Sequence, residues 1–449
     1  MTSDLGIALA ALTAKKRDYD ALWRYYDGEQ PLVYSSEKLR EIFSGLEARF
    51  TENWCAVVID SVLDRMELYT PTVVDDEEAT QALYGLWEET GLVDEEYGIH
   101  EDVAVTGEAF VLAWPEAGGA VAAFQNDARL CHAEYAAENP RQVRFAAKWW
   151  AEEGSIRLTL YYPDRLEYYA TRHAFKGGET PTAKAFEPVA GLAGGEAIAE
   201  NPYGVIPVFH FRSNRRRAKS QLANVIEVQD AVNKLLADMM VAAEFGAFPQ
   251  RYVISSAGIA NLKNNPNAIW DLVASDQGVQ ATQAGQFVAT DLQNYLNAIN
   301  KLSADIGIIT RTPRHYFYQQ GGDPSGEALI AMEAPLNKKT VRVQATLAPT
   351  WRDLAAFLLR LQGHEAATRQ IRIAYAPVET VQPRSAAEVR KLAVEAGVPL
   401  RTHLRRSEGW SEGDVAQMER DRASERLAER TYADAMLTVA QRDFDRGDV

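Results

Sequence analysis

The chain has 449 residues, 47% of them hydrophobic and 24% charged, with 63 acidic against 47 basic side chains and a formal net charge of −16. Its length allows roughly two to four packed regions; its two cysteines, Cys55 and Cys131, exclude a disulfide framework, and no apolar run approaches the ~20 residues that span a bilayer. The charge excludes a protein that grips nucleic acid over its whole surface, which would be basic, but it suits one that lets a duplex slide past a few local cations.

The chain opens with Leu5–Ala14, apolar and short, with Lys15 and Lys16 after it and no basic segment before it. It reads as a helix and not a signal peptide. Up to about residue 115 the pattern is mainly helical, with Leu39, Ile42, Phe43, Leu46 and Phe50, then Val57, Val58, Val62 and Leu63, at helical spacing over 36–67. The acidic run Asp75–Glu78 suits the first turn of a helix. From about 105 to 213 the period shortens. Phe110–Trp114, Val121–Phe124, Val143–Trp149, Ile156–Tyr162, Leu166–Ala170 and Val208–Phe211 read as short strands of a small antiparallel α+β region, with loops at Gly177-Gly178 and Gly194-Gly195.

After Arg215-Arg216-Arg217 the spacing predicts one long amphipathic helix over 220–247, with Leu222, Val225, Val228, Val232, Leu235, Leu236, Met239 and Ala243 on one face. Asn224, Glu227, Asp230, Lys234 and Asp238 fall away from that face, and Pro249 ends the helix. Residues 250–288 read as a compact insert: a strand at Arg251–Ser255, a short helix at Ala257–Leu262 and a strand pair over Gly278–Val288. A second helix covers about 290–307, with Leu292, Leu296, Ile299, Leu302 and Ile306 on one face.

Residues 308–323 read as a polar, aromatic loop carrying Arg311, Arg314, His315, Tyr316, Phe317, Tyr318, Gln319 and Gln320. Pro313 and Gly321-Gly322 keep it from being helical, and Asp323-Pro324 resembles an N-cap followed by proline at the first helical position. A long helix follows to about 361, with kinks expected at Pro335 and Pro349. The tail from 384 is helical and charged. Ser385–Glu388 has capping-box spacing, Gly397-Val398-Pro399 ends that helix, a short helix lies around Arg401–Ser407, Ser411 opens another, and the last runs through Leu427, Ala433, Leu437 and Phe444.

No catalytic signature is present: there is no GxxxxGK[ST], GxSxG or HExxH. The seven histidines are scattered, and Cys131-His132 has no second ligand pair at zinc spacing, so no metal, cofactor or catalytic residue is expected. Two basic clusters remain. Arg215-Arg216-Arg217 with Lys219 fits a solvated turn, intersubunit ion pairs or a DNA contact. Arg311, Arg314 and His315, followed by Lys338, Lys339 and Arg342 and interleaved with Tyr316, Phe317 and Tyr318, form the second.

The order of motifs resembles the Gp6-like portal proteins of long-tailed phages. Tyr25-Tyr26-Asp27-Gly28 is similar to the family's opening YYDG motif, and Asn53-Trp54-Cys55 with Val57-Val58-Ile59-Asp60 to its next block. Asn201-Pro202-Tyr203-Gly204-Val205-Ile206-Pro207-Val208 resembles the segment before the stem, and Val228-Gln229-Asp230-Ala231-Val232-Asn233-Lys234-Leu235-Leu236 the stem helix. Ser325-Gly326-Glu327-Ala328-Leu329 and Glu333-Ala334-Pro335-Leu336 resemble the segment after the tunnel loop. The six motifs stand in order over most of the chain.

The resemblance implies an α+β portal fold. A wing with a helical N-terminus and an antiparallel sheet would cover 1–215, stem helices 216–249 and 289–307, and a small α/β clip 250–288. A tunnel loop would cover 308–323, a long kinked helix and the return to the wing 324–382, and a helical crown 383–449. It also implies a non-enzymatic ring, usually of twelve copies, at the portal vertex of a phage head, with its assembly in the host cytoplasm. Double-stranded DNA would pass non-specifically through the channel, and a terminase motor, scaffold or capsid protein and head–tail connector would dock on it, with no membrane involved. Arg311, Arg314, His315, Tyr316, Tyr318, Gln319 and Gln320 are the candidate channel residues, with Lys338, Lys339 and Arg342 as further basic candidates. Leu222, Val225, Val228, Val232, Leu235, Leu236 and Met239 would pack copies side by side around the hole. The alternatives are a metal-dependent nuclease or nucleotidyltransferase built on the 105–213 sheet, and a head-completion adaptor, which would be shorter and lack this order of elements.

Overall fold

A computed structural model of the chain describes residues 3–31, 52–116, 119–172, 181–191, 195–214, 217–247, 251–254, 283–287, 291–317, 324–364, 368–379, 383–407, 410 and 415–427. They divide into two units, residues 1–375 and 376–449. In the first, α1 (Asp4–Tyr26) is capped by Ser3, whose hydroxyl accepts from Gly6 N at 3.2 Å. Helix α2 (Trp54–Leu63) is capped in the same way by Asn53 and α3 (Glu77–Glu89) by Asp76, so the acidic run at 75–78 is a helix start, as its composition implied. Strand β1 (Leu68–Val73) lies between these helices, and α4 (Leu92–Val105) follows.

Strands β2 (Glu108–Pro115), β3 (Val121–Asn126), β4 (Cys131–Tyr135), β5 (Val143–Glu152), β6 (Ser155–Tyr161), β7 (Arg165–Thr171), β8 (Phe186–Pro188), β9 (Ile198–Glu200) and β10 (Val208–Arg212) come next. They form two antiparallel sheets, one ordered β10-β2-β3 and the other β4-β5-β6-β7-β8 with β9 on β7. All six strands expected from the alternation are present. Five in the first unit, β1, β4, β8, β9 and the strand at Ile371–Tyr375, were not legible. Strand β4 carries Ala, His and Glu, which favour no strand by themselves, and pairing with β5 sets it. Strands β8 and β9 have three residues each. Strand β1 contains Pro71, which reads as a breaker, but its register against β13 (Ile371–Tyr375) shifts between Tyr69 and Thr72, where the missing N–H is absorbed. That pair joins residues about 300 positions apart, a separation no local pattern reports.

Helix α5 spans Ile226–Ala247, β11 Arg251–Ile254, β12 Gln283–Gln286, α6 Gln293–Thr310 and α7 Gly326–Leu361. The expected helix start at 220 is wrong: residues 221–225 are turns, and the helix begins six residues later. Strand β11 pairs antiparallel with β12, and the expected helix at 257–262 lies outside the described residues. The expected loop at 308 also starts late. Ile308, Ile309 and Thr310 are still helical, and Arg311 ends α6 with φ 62° in the left-handed region. The cap of α7 is Ser325 and not Asp323, so Pro324 stands before the helix and not at its first position. Pro335 and Pro349 both sit inside α7, where each removes one backbone donor.

The main core lies where α3, α4 and α7 cover the three-stranded sheet. Trp87, Trp351, Leu83, Leu86, Ile99 and Phe211 are fully buried there, with Phe211 and Trp351 ring centroids 4.6 Å apart. The first turns of α1 pack Ala8, Leu9 and Leu12 against Phe145, Leu158 and Leu160 of the larger sheet.

The second unit holds α8 (Pro383–Glu395), α9 (Leu400–Ser407) and a helix over 415–427. Ser385 lies inside α8, not at its cap, and Pro383 takes the first helical position. Gly397, at φ 89°, closes that helix as expected, with Val398 N donating to Ala393 O at 3.0 Å. Leu404 and Val415 are buried in this unit. The rest of the expected tail lies outside the described residues.

Candidate functional site

The segment 311–317 is held from three sides. At its start, Lys339 Nζ donates to the Thr310 carbonyl at 3.0 Å, placing a cation on the C-terminus of α6 where the helix dipole is negative. Burial, helped by the charge of Arg311, pushes the Lys339 ammonium down to about 8. At its end, Phe317 is buried against Trp54, with ring centroids 5.2 Å apart, and over Gly307, whose missing Cβ leaves room for the Thr312 carbonyl and the Phe317 ring. Between them Arg314–Tyr316 form one 3-10 turn.

That turn rests on a polar cluster. Arg65, just beyond α2, forms an ion pair with Glu333 of α7, and each side chain is only 12% exposed. The same guanidinium donates to Tyr316 Oη at 2.9 Å, to Asn337 Oδ1 at 3.1 Å and to the Ser61 carbonyl at 2.8 Å. His315 Nε2 lies 3.1 Å from Glu333 Oε1. Gln344 Nε2 donates to the Arg65 carbonyl at 2.9 Å. Arg311 and Arg314 are exposed, as are Lys338 and Arg342, whereas His315 and Tyr316 are half-buried. The structure therefore separates the basic candidates: Arg311, Arg314, Lys338 and Arg342 face solvent, while Lys339 is committed to a backbone carbonyl. Tyr318, Gln319 and Gln320 lie outside the described residues.

The expected apolar face of the first long helix splits. Leu222, Val225 and Val232 are fully buried, and Leu222 and Val225 lie in a cluster with Cys55, Val58, Ile59, Ile306 and Phe317 that Val228 packs against. Leu235, Leu236 and Met239 are only half-buried and Met240 is 38% exposed. So the stripe expected to pack copies serves the subunit's own core at one end. Asp230, expected on the polar side, is buried and accepts from Tyr25 Oη at 2.8 Å, and burial raises its carboxyl above the ordinary range. The periodicity missed this because a buried acid looks like a surface acid until its partner, 205 positions away, is known.

The same helix face ties the N-terminal motifs together. Gln229 Oε1 accepts from Trp54 N at 2.9 Å and its Nε2 donates to the Glu52 carbonyl at 2.7 Å, while Asn233 Oδ1 accepts from Glu52 N at 3.1 Å. Asn53 donates to the Tyr26 carbonyl at 2.6 Å. Gly28 has φ 73°, and a Cβ there would stand 3.2 Å from Asn53 Nδ2, so both conformation and space call for glycine. Three motifs far apart in sequence thus meet at one junction. Glu333, Gln229 and Asn233 lay in motifs already singled out, but Arg65 carried no local signal.

A second buried cluster sits in the sheet region. Glu108 pairs with Lys15, accepts from Tyr19 Oη at 2.7 Å and lies 2.8 Å from His210 Nε2. Burial alone would raise the Glu108 carboxyl, but Lys15 and His210 hold it well below the ordinary range, while burial pushes His210 down to about 4. Every member is satisfied within the protein, and the cluster fastens α1 to β2 and β10. Cys55 and Cys131 are buried free thiols pushed up to about 12 by burial. Among the described residues no group of three or more His, Cys, Asp or Glu side chains could hold a metal ion, and no helix is long and apolar enough to cross a membrane.

The family model for phage portal proteins of the SPP1 Gp6-like type matches residues 6–425. No curated protein matches the chain at a significant level. Among solved structures, the neck of a native gene transfer agent particle computed with C12 symmetry is 12% identical, covering 90% of this chain and 93% of that one at a TM-score of 0.47. The neck of an empty particle computed with C6 symmetry is 14% identical over 85% and 89% at 0.45, and a native gene transfer agent virion 13% over 82% and 91% at 0.44.

Proposed function

The chain belongs to the SPP1 Gp6-like phage portal family, structural proteins of the virion, and from that premise we propose that it forms a ring-shaped channel for double-stranded DNA at the portal vertex of a phage head. The observation that carries this is the family match over residues 6–425. In this reading residues 1–215 are the wing, α5 and α6 the stem, the β11–β12 region the clip, 308–323 the tunnel loop, α7 the long helix that leads back to the wing, and 383–449 the crown. The ring is a dodecamer, assembled in the host cytoplasm. It docks a terminase motor, scaffold or capsid protein and a head–tail connector, and leaves ATP hydrolysis to the motor.

Two features support the reading. Met240 on α5 and Leu296, Ile308 and Ile309 on α6 leave apolar surface uncovered by their own subunit, with Ile308 75% exposed. Heterologous contacts that close by rotation into a ring would cover such surface. Against a net charge of −16, the exposed Arg311, Arg314, Lys338 and Arg342 provide a few local cations among the described residues. A duplex is then guided without being trapped, because each phosphate contact adds affinity through counterion release.

Native mass measurement of the purified protein tests this. The expected particle is about twelve times the 49.9 kDa chain. A stable monomer at high concentration removes the reading. Rings should bind duplex DNA weakly and lose it with added salt, and replacing Arg311 and Arg314 by alanine should make that salt dependence shallower.

A further inference from the structure

We propose that Arg65 is the positioning residue of the candidate tunnel loop: it latches the turn Arg314–Tyr316 at once to the N-terminal helical core and to α7. What the loop does rests on the portal reading; the latch rests on contacts within one subunit.

One residue joins three elements. Its side chain reaches Ser61 of α2, Glu333 and Asn337 one turn apart on α7, and Tyr316 of the turn, while its own carbonyl accepts from Gln344 two turns further along α7. A planar fork with five fixed donors can do this, and a single ammonium cannot. Glu333 completes the latch by taking both Arg65 and His315. At 12% side-chain exposure the Arg65–Glu333 pair is poorly screened, so it holds its geometry better than a surface pair would.

A further polar attachment, from Lys339, secures Thr310 at one end of the segment, and the core secures Phe317 at the other. Beyond the bonds within the turn itself, Tyr316 N to Pro313 O at 3.1 Å and Phe317 N to Arg314 O at 3.1 Å, and the apolar packing of the Tyr316 ring, the Arg65–Glu333 cluster supplies the polar contacts that fix His315 and Tyr316. Releasing it frees the middle of the segment while both ends stay anchored. A displacement of α2 or α7 then reaches the loop through Arg65.

Amide hydrogen exchange on the full-length assembled protein tests this, in the wild type and in Arg65→Met, Arg65→Lys and Glu333→Gln. Exchange at Tyr316 and Phe317 should accelerate by about tenfold or more in Arg65→Met and Glu333→Gln, and less in Arg65→Lys, with Val111 and Phe209 in the β2–β10 ladder unchanged. Unchanged rates at Tyr316 and Phe317 overturn the latch. So does equal acceleration in the ladder, which would make Arg65 a general stabiliser and not a local one. If Arg65→Met does not fold, Glu333→Gln decides, since it keeps the side-chain shape but removes the charge and one of the two acceptor oxygens that hold Arg65 and His315. Ring mass is measured on the same samples. A wild type that makes no ring sinks the portal reading and leaves the latch result standing, while intact rings with unchanged exchange sink the latch alone.

Discussion

The core around Trp87 and Trp351 and the helix pair α5–α6 handle apolar surface in opposite ways. In the core, helices α3 and α4, a three-stranded sheet and α7 enclose Trp351, Leu354, Phe211 and Leu83 completely. In the pair, coverage is partial: Val232 on α5 and Ile306 on α6 are fully buried, whereas Met240 on α5 and Leu296, Ile308 and Ile309 on α6 are exposed. The first region closes over its apolar side chains, and the second leaves part of its apolar surface exposed in the single subunit. The boundary lies at the junction where Tyr25, Asn53, Gln229, Asp230 and Asn233 join α1, α2 and α5.

Trp351→Ala would break the comparison most directly. A large cavity in the closed core should cost about 3–5 kcal/mol in denaturant unfolding, and a loss below 1 kcal/mol would mean that the core is not the subunit's stable centre. His100 adds a pH dependence to the same core. It is buried beside Trp351 and Tyr375, and burial pushes its imidazole down to about 3. A base with a depressed folded pKa contributes stability that is present above its unfolded value near 6.5 and is lost as pH falls toward the folded value. His100→Leu should therefore gain on the wild type by about 2–3 kcal/mol between about pH 7 and pH 4, read as a lower acid-unfolding midpoint. An identical pH profile in the two proteins would refute the assignment.

Tyr25→Phe sharpens the boundary. It removes the hydroxyl that serves buried Asp230 and should cost about 1–2 kcal/mol by thermal unfolding. Met240→Gln sits at the small end of the scale. Subunit stability should change by less than about 0.5 kcal/mol, while the ring should dissociate at a higher protein concentration by mass photometry. A large loss of subunit stability would show that this end of the helix pair is covered from within.

Much of the fold was readable in order, because short-range periodicity reports which face of an element is buried. Six strands of the sheets, the acidic start of α3, the glycine end of α8 and both long helices followed from spacing and breakers. Element ends were less legible. Leu222 and Val225 keep helical spacing but lie in turns, where burial against α2 holds them, and Ile308-Ile309-Thr310 read as loop yet continue α6, whose end is held by Thr310 Oγ1 donating to the Ile306 carbonyl and by Lys339 on the Thr310 carbonyl. At the candidate site, composition picked out the basic and aromatic residues of 311–317 but not their division of labour. Lys339 and Arg342 are three positions apart and equally cationic, yet one caps a helix inside the protein and the other faces solvent.

The sequence by itself determined the α+β class, the chain order of the elements and the family, because these rest on patterns that neighbouring residues write together. Tertiary structure alone decided that β1 closes on β13, that Asp230 is an interior acid, and that Arg65 reaches both Glu333 and Tyr316. Each of those joins residues far apart in the chain, and a contact of that kind exists only once packing has brought its two halves together and removed the water between them.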